Sequence, residues 1–145
     1  GEDVELIPVR AAHTDGDTMV WFPKANVLMV GDFYRAIGYP NIDRNNGGSL
    51  QGMLDGLDAV VKLARADTKI VPGHGAVVDK SAVARHRDMI AAVRDRVDAL
   101  VKQGMTQEQV VAAKPTAPFD AGVPGAADTS ERFVTQVYQE LKPAR

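Results

Sequence analysis

The sequence predicts an α/β fold, with one mixed β-sheet layer covered by helices. Three observations predict it. Short apolar runs of strand length fall at residues 4–9, 17–22, 27–30 and 68–71. Two longer segments, 50–64 and 81–103, carry apolar residues every three or four positions, the period of an amphipathic helix. The runs Met19-Val20-Trp21-Phe22 and Val27-Leu28-Met29-Val30 do not alternate with polar residues, which suits strands covered on both faces.

The first run, Val4 to Val9, contains Pro8, which has no N–H for a ladder and belongs at a sheet edge or strand end. Pro23-Lys24-Ala25-Asn26 separates the second run from the third, a connection of hairpin type. Gly31-Asp32 closes the third. A loop rich in Gly and Asn then passes through Tyr39-Pro40-Asn41 and Asn45-Asn46-Gly47-Gly48 to Ser49, a suitable helix N-cap. Leu50, Met53, Leu54, Leu57, Val60, Val61 and Ala64 mark the apolar face of the helix behind it. Thr68 to Val71 reads as a short buried strand, closed by Pro72-Gly73.

From Ser81 a second helix runs to about Gln103, with Val83, Ile90, Val93, Val97, Leu100 and Val101 on its apolar face and Gly104 as its stop. Thr106-Gln107-Glu108-Gln109 has capping-box spacing and opens a short helix that ends before Pro115. The Pro- and Gly-rich stretch 115–128 reads as loop. A last helix begins near Asp128 to Ser130, with Phe133, Val134, Val137, Tyr138 and Leu141 on one side. Residues 1–145 thus read as one unit, with 106–145 a helical tail within it.

Composition narrows the function. Net charge is −2 and no Lys/Arg cluster forms an electrostatic footprint for nucleic acid. No apolar run approaches the roughly 20 residues that span a bilayer. The absence of cysteine excludes a disulfide framework, thiolate metal ligands and a Cys nucleophile, and leaves the compartment open. The start, Gly1-Glu2-Asp3, fits a processed, cleaved or engineered end, so any export signal is expected upstream of Gly1.

Chemistry concentrates in three segments: His13-Thr14-Asp15-Gly16-Asp17, Gly31-Asp32 and Pro72-Gly73-His74-Gly75. Each places one potential ligand just after a strand-like run. Neutral imidazoles and a carboxylate meeting at strand ends form a set that zinc, iron or manganese accepts. Gly16, Gly31, Gly73 and Gly75 let backbone pass close to a metal. Asp15 and Asp17 read either as partners orienting His13 or as turn residues. His86, near the apolar face of the second helix, reads as a structural or solvent-edge histidine. The loop from Ile37 to Gly48, with Tyr34, Tyr39 and Asn45, either lines the mouth of the site or only joins strand to helix, the plainer reading.

These motifs resemble the second half of the metallo-β-lactamase superfamily. His13-Thr14-Asp15-Gly16-Asp17-Thr18 is similar to its third histidine motif. Val27-Leu28-Met29-Val30-Gly31-Asp32 resembles the strand that delivers the metal-bridging aspartate, and Lys69-Ile70-Val71-Pro72-Gly73-His74-Gly75 the final histidine motif. The loop from Gly38-Tyr39-Pro40 to Gly48-Ser49 and the stretch Ala113-Lys114-Pro115-Thr116 resemble a bacterial branch of these hydrolases. The resemblance implies the C-terminal half of an αββα sandwich. It further implies that His13 ligates a first metal, that Asp32 bridges two and serves catalysis, and that His74 ligates the second. Zinc is the metal implied, with iron or manganese as alternatives. A hydroxide held between the metals would attack an ester, thioester, lactone or amide. An aspartate at position 32, in a chain without cysteine, is the glyoxalase II-like pattern.

The family's other ligands lie in a His-x-His-x-Asp-His segment, and this chain contains no such segment. The expectation is therefore half of a hydrolase, nearly inactive by itself, whose small-molecule substrate belongs to the intact parent. A lone half would expose one apolar sheet face, with Trp21, Phe22 and Leu28 expected on it. Burial of apolar surface yields roughly 25 cal/mol per Å², so that face is expected to pair with the missing half or with another copy. The alternative from another class is a non-catalytic α/β interaction module with a vestigial metal site.

Overall fold

The structure, a computed structural model, describes residues 1–142. Strands β1 (Glu5–Pro8), β2 (Thr18–Phe22), β3 (Val27–Arg35) and β4 (Lys69–His74) form one sheet in the order β1-β2-β3-β4. The first two pairings are antiparallel and β3 with β4 is parallel, so the sheet is mixed. Helices α1 (Leu50–Leu63), α2 (Lys80–Lys102), α3 (Gln107–Ala112), α4 (Ala117–Asp120) and α5 (Ala126–Leu141) complete the chain. The α/β class and the single mixed layer covered by helices are as the sequence predicts.

Local signals explain the boundaries. Ser49 caps α1 by accepting from the Gly52 N–H at 2.9 Å. Thr106 and Gln109 form the full capping box on α3. Pro8 lies on edge strand β1, where its missing N–H costs no ladder bond. Several boundaries differ from expectation, most by one residue. β3 runs on to Arg35 and β4 to His74, because a bulge absorbs Gly31 and Gly73 rather than ending the strands. α2 begins one residue early, at Lys80, with Asp79 as its cap. Within the expected loop, α4 forms with Pro118 in its first turn, where no N–H is needed, and α5 starts at Ala126.

The register sorts the sheet into two faces. Trp21, Leu28 and Ile70 are paired across neighbouring strands and are buried beneath the helices, with Met19 and Val30 on the same side. This corrects the expectation for the open face: Trp21 and Leu28 belong to the core. The opposite face carries the paired row Leu6, Val20, Met29 and Val71, and beside it Phe22 paired with Val27. Leu6 is 69% and Met29 43% exposed, so a contiguous apolar face stands uncovered. Two non-alternating runs could not reveal which parity points outward; only the helices decide it.

The core lies between the other face and α1, α2 and α5, with Phe33, Leu57, Ile90, Val97, Phe133 and Val137 fully buried. Among the described residues no helix is long and apolar enough to cross a membrane.

Candidate functional site

Asp32 sits in the bulge of β3. Gly31 pairs with Pro72 and Arg35 with His74, so three residues of β3 stand against the single residue Gly73. Gly31 supplies the turn with φ of 63°, a left-handed value that suits glycine. A β-carbon on Gly73 would run into Asp32 Oδ1, so the glycine leaves room for the carboxylate. His74 is the last residue of β4, and its carbonyl accepts from the Ala36 N–H at 2.9 Å.

His13 lies in the β1–β2 connection and is held at three points. Its N–H donates to Asp17 Oδ2 at 2.6 Å, and its carbonyl accepts from the Asp43 N–H at 2.9 Å. Its ring Nδ1 meets the Asn41 carbonyl at 2.7 Å. A carbonyl only accepts, so Nδ1 carries the hydrogen and Nε2 presents a lone pair. Gly48 packs against the His13 carbonyl with no room for a β-carbon.

The three sequence-predicted residues are thereby brought together. His13 Nε2 stands 3.8 Å from Asp32 Oδ2, and His74 Nε2 stands 3.3 Å from Asp32 Oδ1. Each imidazole faces its own oxygen of the one carboxylate. Both separations exceed a good hydrogen bond and approach the spacing of about 3.3 Å between two ligands of a tetrahedral ion. Among the described residues, no three His, Cys, Asp or Glu side chains enclose one common ion position. The trio is instead two pairs that share Asp32. The His13 side chain is 18% exposed, against 44% for Asp32 and 51% for His74, so the site is an open edge with one enclosed ligand. A cavity of about 520 Å³ lies nearby between the end of β3, α2 and the segment around Phe119, but none of the three lines it.

Asp17 accepts from the backbone of His13 and Thr14 and from the Thr14 hydroxyl, which makes it a turn clamp on the main chain and not a partner of the ring. Tyr39 is fully buried, stacked on Phe133 at 5.5 Å and bonded through its hydroxyl to Asp120 at 2.7 Å. Burial and that carboxylate push its pKa up. Tyr34 is buried too and borders the 520 Å³ cavity, not the edge that His13, Asp32 and His74 form. His86 packs edge-on against Tyr34 at 4.9 Å, and burial pushes its pKa down to about 4, as befits a structural histidine.

Sequence reasoning missed Asn41 and Gln136. The Gln136 amide donates to Asn41 Oδ1 at 2.8 Å and accepts from the Ile42 N–H at 3.0 Å. A polar residue at position 136, between the apolar pairs of α5, was the available signal.

No family model matches the chain, and no curated protein matches it. Solved structures do. The stereoselective inverting sec-alkylsulfatase Pisa1 from Pseudomonas sp. overlays 96% of this chain with a TM-score of 0.70 and 18% identity. A double mutant of the sec-alkyl sulfatase PisA1 overlays the same share with a TM-score of 0.75 and 16% identity. The chain spans 24% of the length of each. The metallo-β-lactamase DIM-1 overlaps 61% of this chain and 40% of its own length, at 18% identity, with a TM-score of 0.46, too low to carry an argument. At these identities the likeness shows the fold.

Proposed function

We propose that this chain, whose fold is that of the C-terminal part of the metallo-β-lactamase superfamily, is part of a metal-dependent hydrolase. The observation that carries the reading is the placement of Asp32 between two imidazoles, each Nε2 facing a different carboxylate oxygen. That donor set suits zinc, with iron or manganese as alternatives. His13, Asp32 and His74 would hold the metal, with Asp32 shared between two positions. When bound, the metal would supply a lowered water pKa and Lewis acidity toward an ester, thioester, lactone or amide of a small substrate.

The chain's own residues supply the frame. Asn41 fixes the tautomer of His13, Asp17 and Asp43 fix its backbone, and Gly73 leaves space for the Asp32 carboxylate. Three ligands on an open edge hold an ion weakly, so the activity belongs to a larger assembly. The uncovered row Leu6, Val20, Met29 and Val71 supports a sheet-on-sheet partner, either the other half of the sandwich or a second copy.

Metal analysis of the purified chain beside its His74→Ala variant tests this reading. The expected result is bound zinc in the chain and a clear loss in the variant. Equal metal content in both would favour a second reading, a non-catalytic module with a vestigial site, which the lack of one enclosed ion position among the described residues also supports. The separate chain should show almost no turnover in a hydrolase screen. Robust turnover by it would contradict the shared-site reading.

A further inference from the structure

One stripe of α5 stitches down the segment that joins β3 to α1. Thr129 accepts from the Tyr39 N–H at 2.8 Å, and Arg132 Nη2 reaches the Tyr39 carbonyl at 3.4 Å. Gln136 grips Asn41 and Ile42, and Glu140 accepts from the Leu50 N–H through both carboxylate oxygens, at 2.9 and 2.7 Å. The spacing of three, four and four residues puts all four side chains on one helix face. Phe133, Val134, Val137 and Tyr138 bury the neighbouring stripe in the core, so the stitching face is rigidly placed.

Only one of these four residues bears on the candidate ligands. The Asn41 carbonyl and the Ile42 N–H belong to the same planar peptide group, and in a trans peptide they point in opposite directions. Gln136 accepts from that N–H at 3.0 Å, while the carbonyl on the other side meets His13 Nδ1 at 2.7 Å. A second bond, from the Gln136 amide to Asn41 Oδ1 at 2.8 Å, stops the group from swinging. We infer that Gln136 is a positioning residue for His13. By fixing the Asn41–Ile42 peptide plane it sets which ring nitrogen carries the hydrogen and aims Nε2 at Asp32. The effect on metal affinity rests on the function proposed above; the effect on the tautomer does not.

The test reads both, on the full 145-residue chain. Long-range ¹H–¹⁵N correlation of the imidazoles at pH 8.5 reports the tautomer, and zinc titration reports the affinity. The wild type should show His13 protonated at Nδ1. Gln136→Met, similar in size but without either bond, should shift His13 toward the Nε2–H form and weaken zinc binding roughly tenfold, the low end for outer partners of a ligand. Gln136→Glu keeps an acceptor for the Ile42 N–H and should hold the Nδ1–H tautomer, which keeps the test open if the Met variant does not fold. Gln139→Ala, exposed on the same helix, should change neither reading. An unchanged tautomer in Gln136→Met, or its loss in Gln136→Glu, would overturn the inference. Absence of zinc binding in every variant, with the tautomer still following residue 136, would sink the metal reading and leave the positioning role standing.

Discussion

His13 and His86 are both partly enclosed, and their surroundings give them opposite characters. His13 has a carbonyl on one nitrogen and a carboxylate facing the other. His86 Nε2 is buried with no hydrogen-bond partner among the described residues, and the ring is held neutral down to about pH 4. Its folded pKa lies below the unfolded value of about 6.5. Its contribution to stability is therefore fully present above about pH 6.5 and is lost as pH falls toward 4. Unfolding free energies from urea titrations at pH 7 and 4.5 should differ by an amount that includes about 2–3 kcal/mol from this one group. His86→Phe, which keeps the packing on Tyr34, should lower that difference by the same amount. Gly73→Ala should displace Asp32 and weaken zinc binding by at least tenfold in a titration, since the new methyl occupies the place of Oδ1. At this scale the candidate ligands were legible because His, Asp and the flanking glycines declare themselves locally. Asn41 was not, because it acts through a backbone carbonyl that every residue type possesses. Gln136 was not, because its partner lies 95 residues away in sequence.

Among elements, the start of α1 is doubly anchored. Ser49 caps it from the preceding loop, and the Glu140 carboxylate of α5 takes the Leu50 and Gln51 N–H groups. A carboxylate at a helix N-terminus meets both unsatisfied donors and the positive end of the helix dipole. Glu140→Gln should therefore destabilise the chain by about 1–2 kcal/mol, read as a shift in urea midpoint with unchanged slope. Helices α1, α2 and α3 and the body of α5 were readable from period and caps, since both signals are local, whereas α4 and the start of α5 carry no side-chain cap and were not. Strand ends were not. Gly31, Pro72 and Gly73 look like breakers, but in a bulged parallel pair they reshape the strand and continue it. That same bulge delivers Asp32, so the place where strand rules fail is where the candidate ligand sits.

At the scale of the whole molecule, one face of the sheet is finished and the other is not. Leu28 and Ile70 are sealed beneath helices, while Leu6 and Met29 stand in solvent across a continuous apolar row. Monomeric proteins rarely leave such a patch open. The chain should sediment as an associating species and bind a hydrophobic dye. Met29→Lys should raise the monomer fraction without loss of fold, whereas Leu28→Lys should unfold the domain, because the charge would enter a dry core. A stable monomer that binds no dye would contradict this. The sequence made it legible that a face would be uncovered, but of the three side chains expected there only Phe22 lies on it, because the parity of a non-alternating strand is set by the helices packed on it.

Zinc K-edge absorption on the zinc-loaded chain decides whether His13 and His74 bind the ion, because it counts the imidazoles around it. Imidazole scattering with nitrogen and oxygen at roughly 2.0–2.1 Å is expected, reduced in both His13→Ala and His74→Ala. A spectrum without imidazole, or one that neither substitution alters, would contradict it.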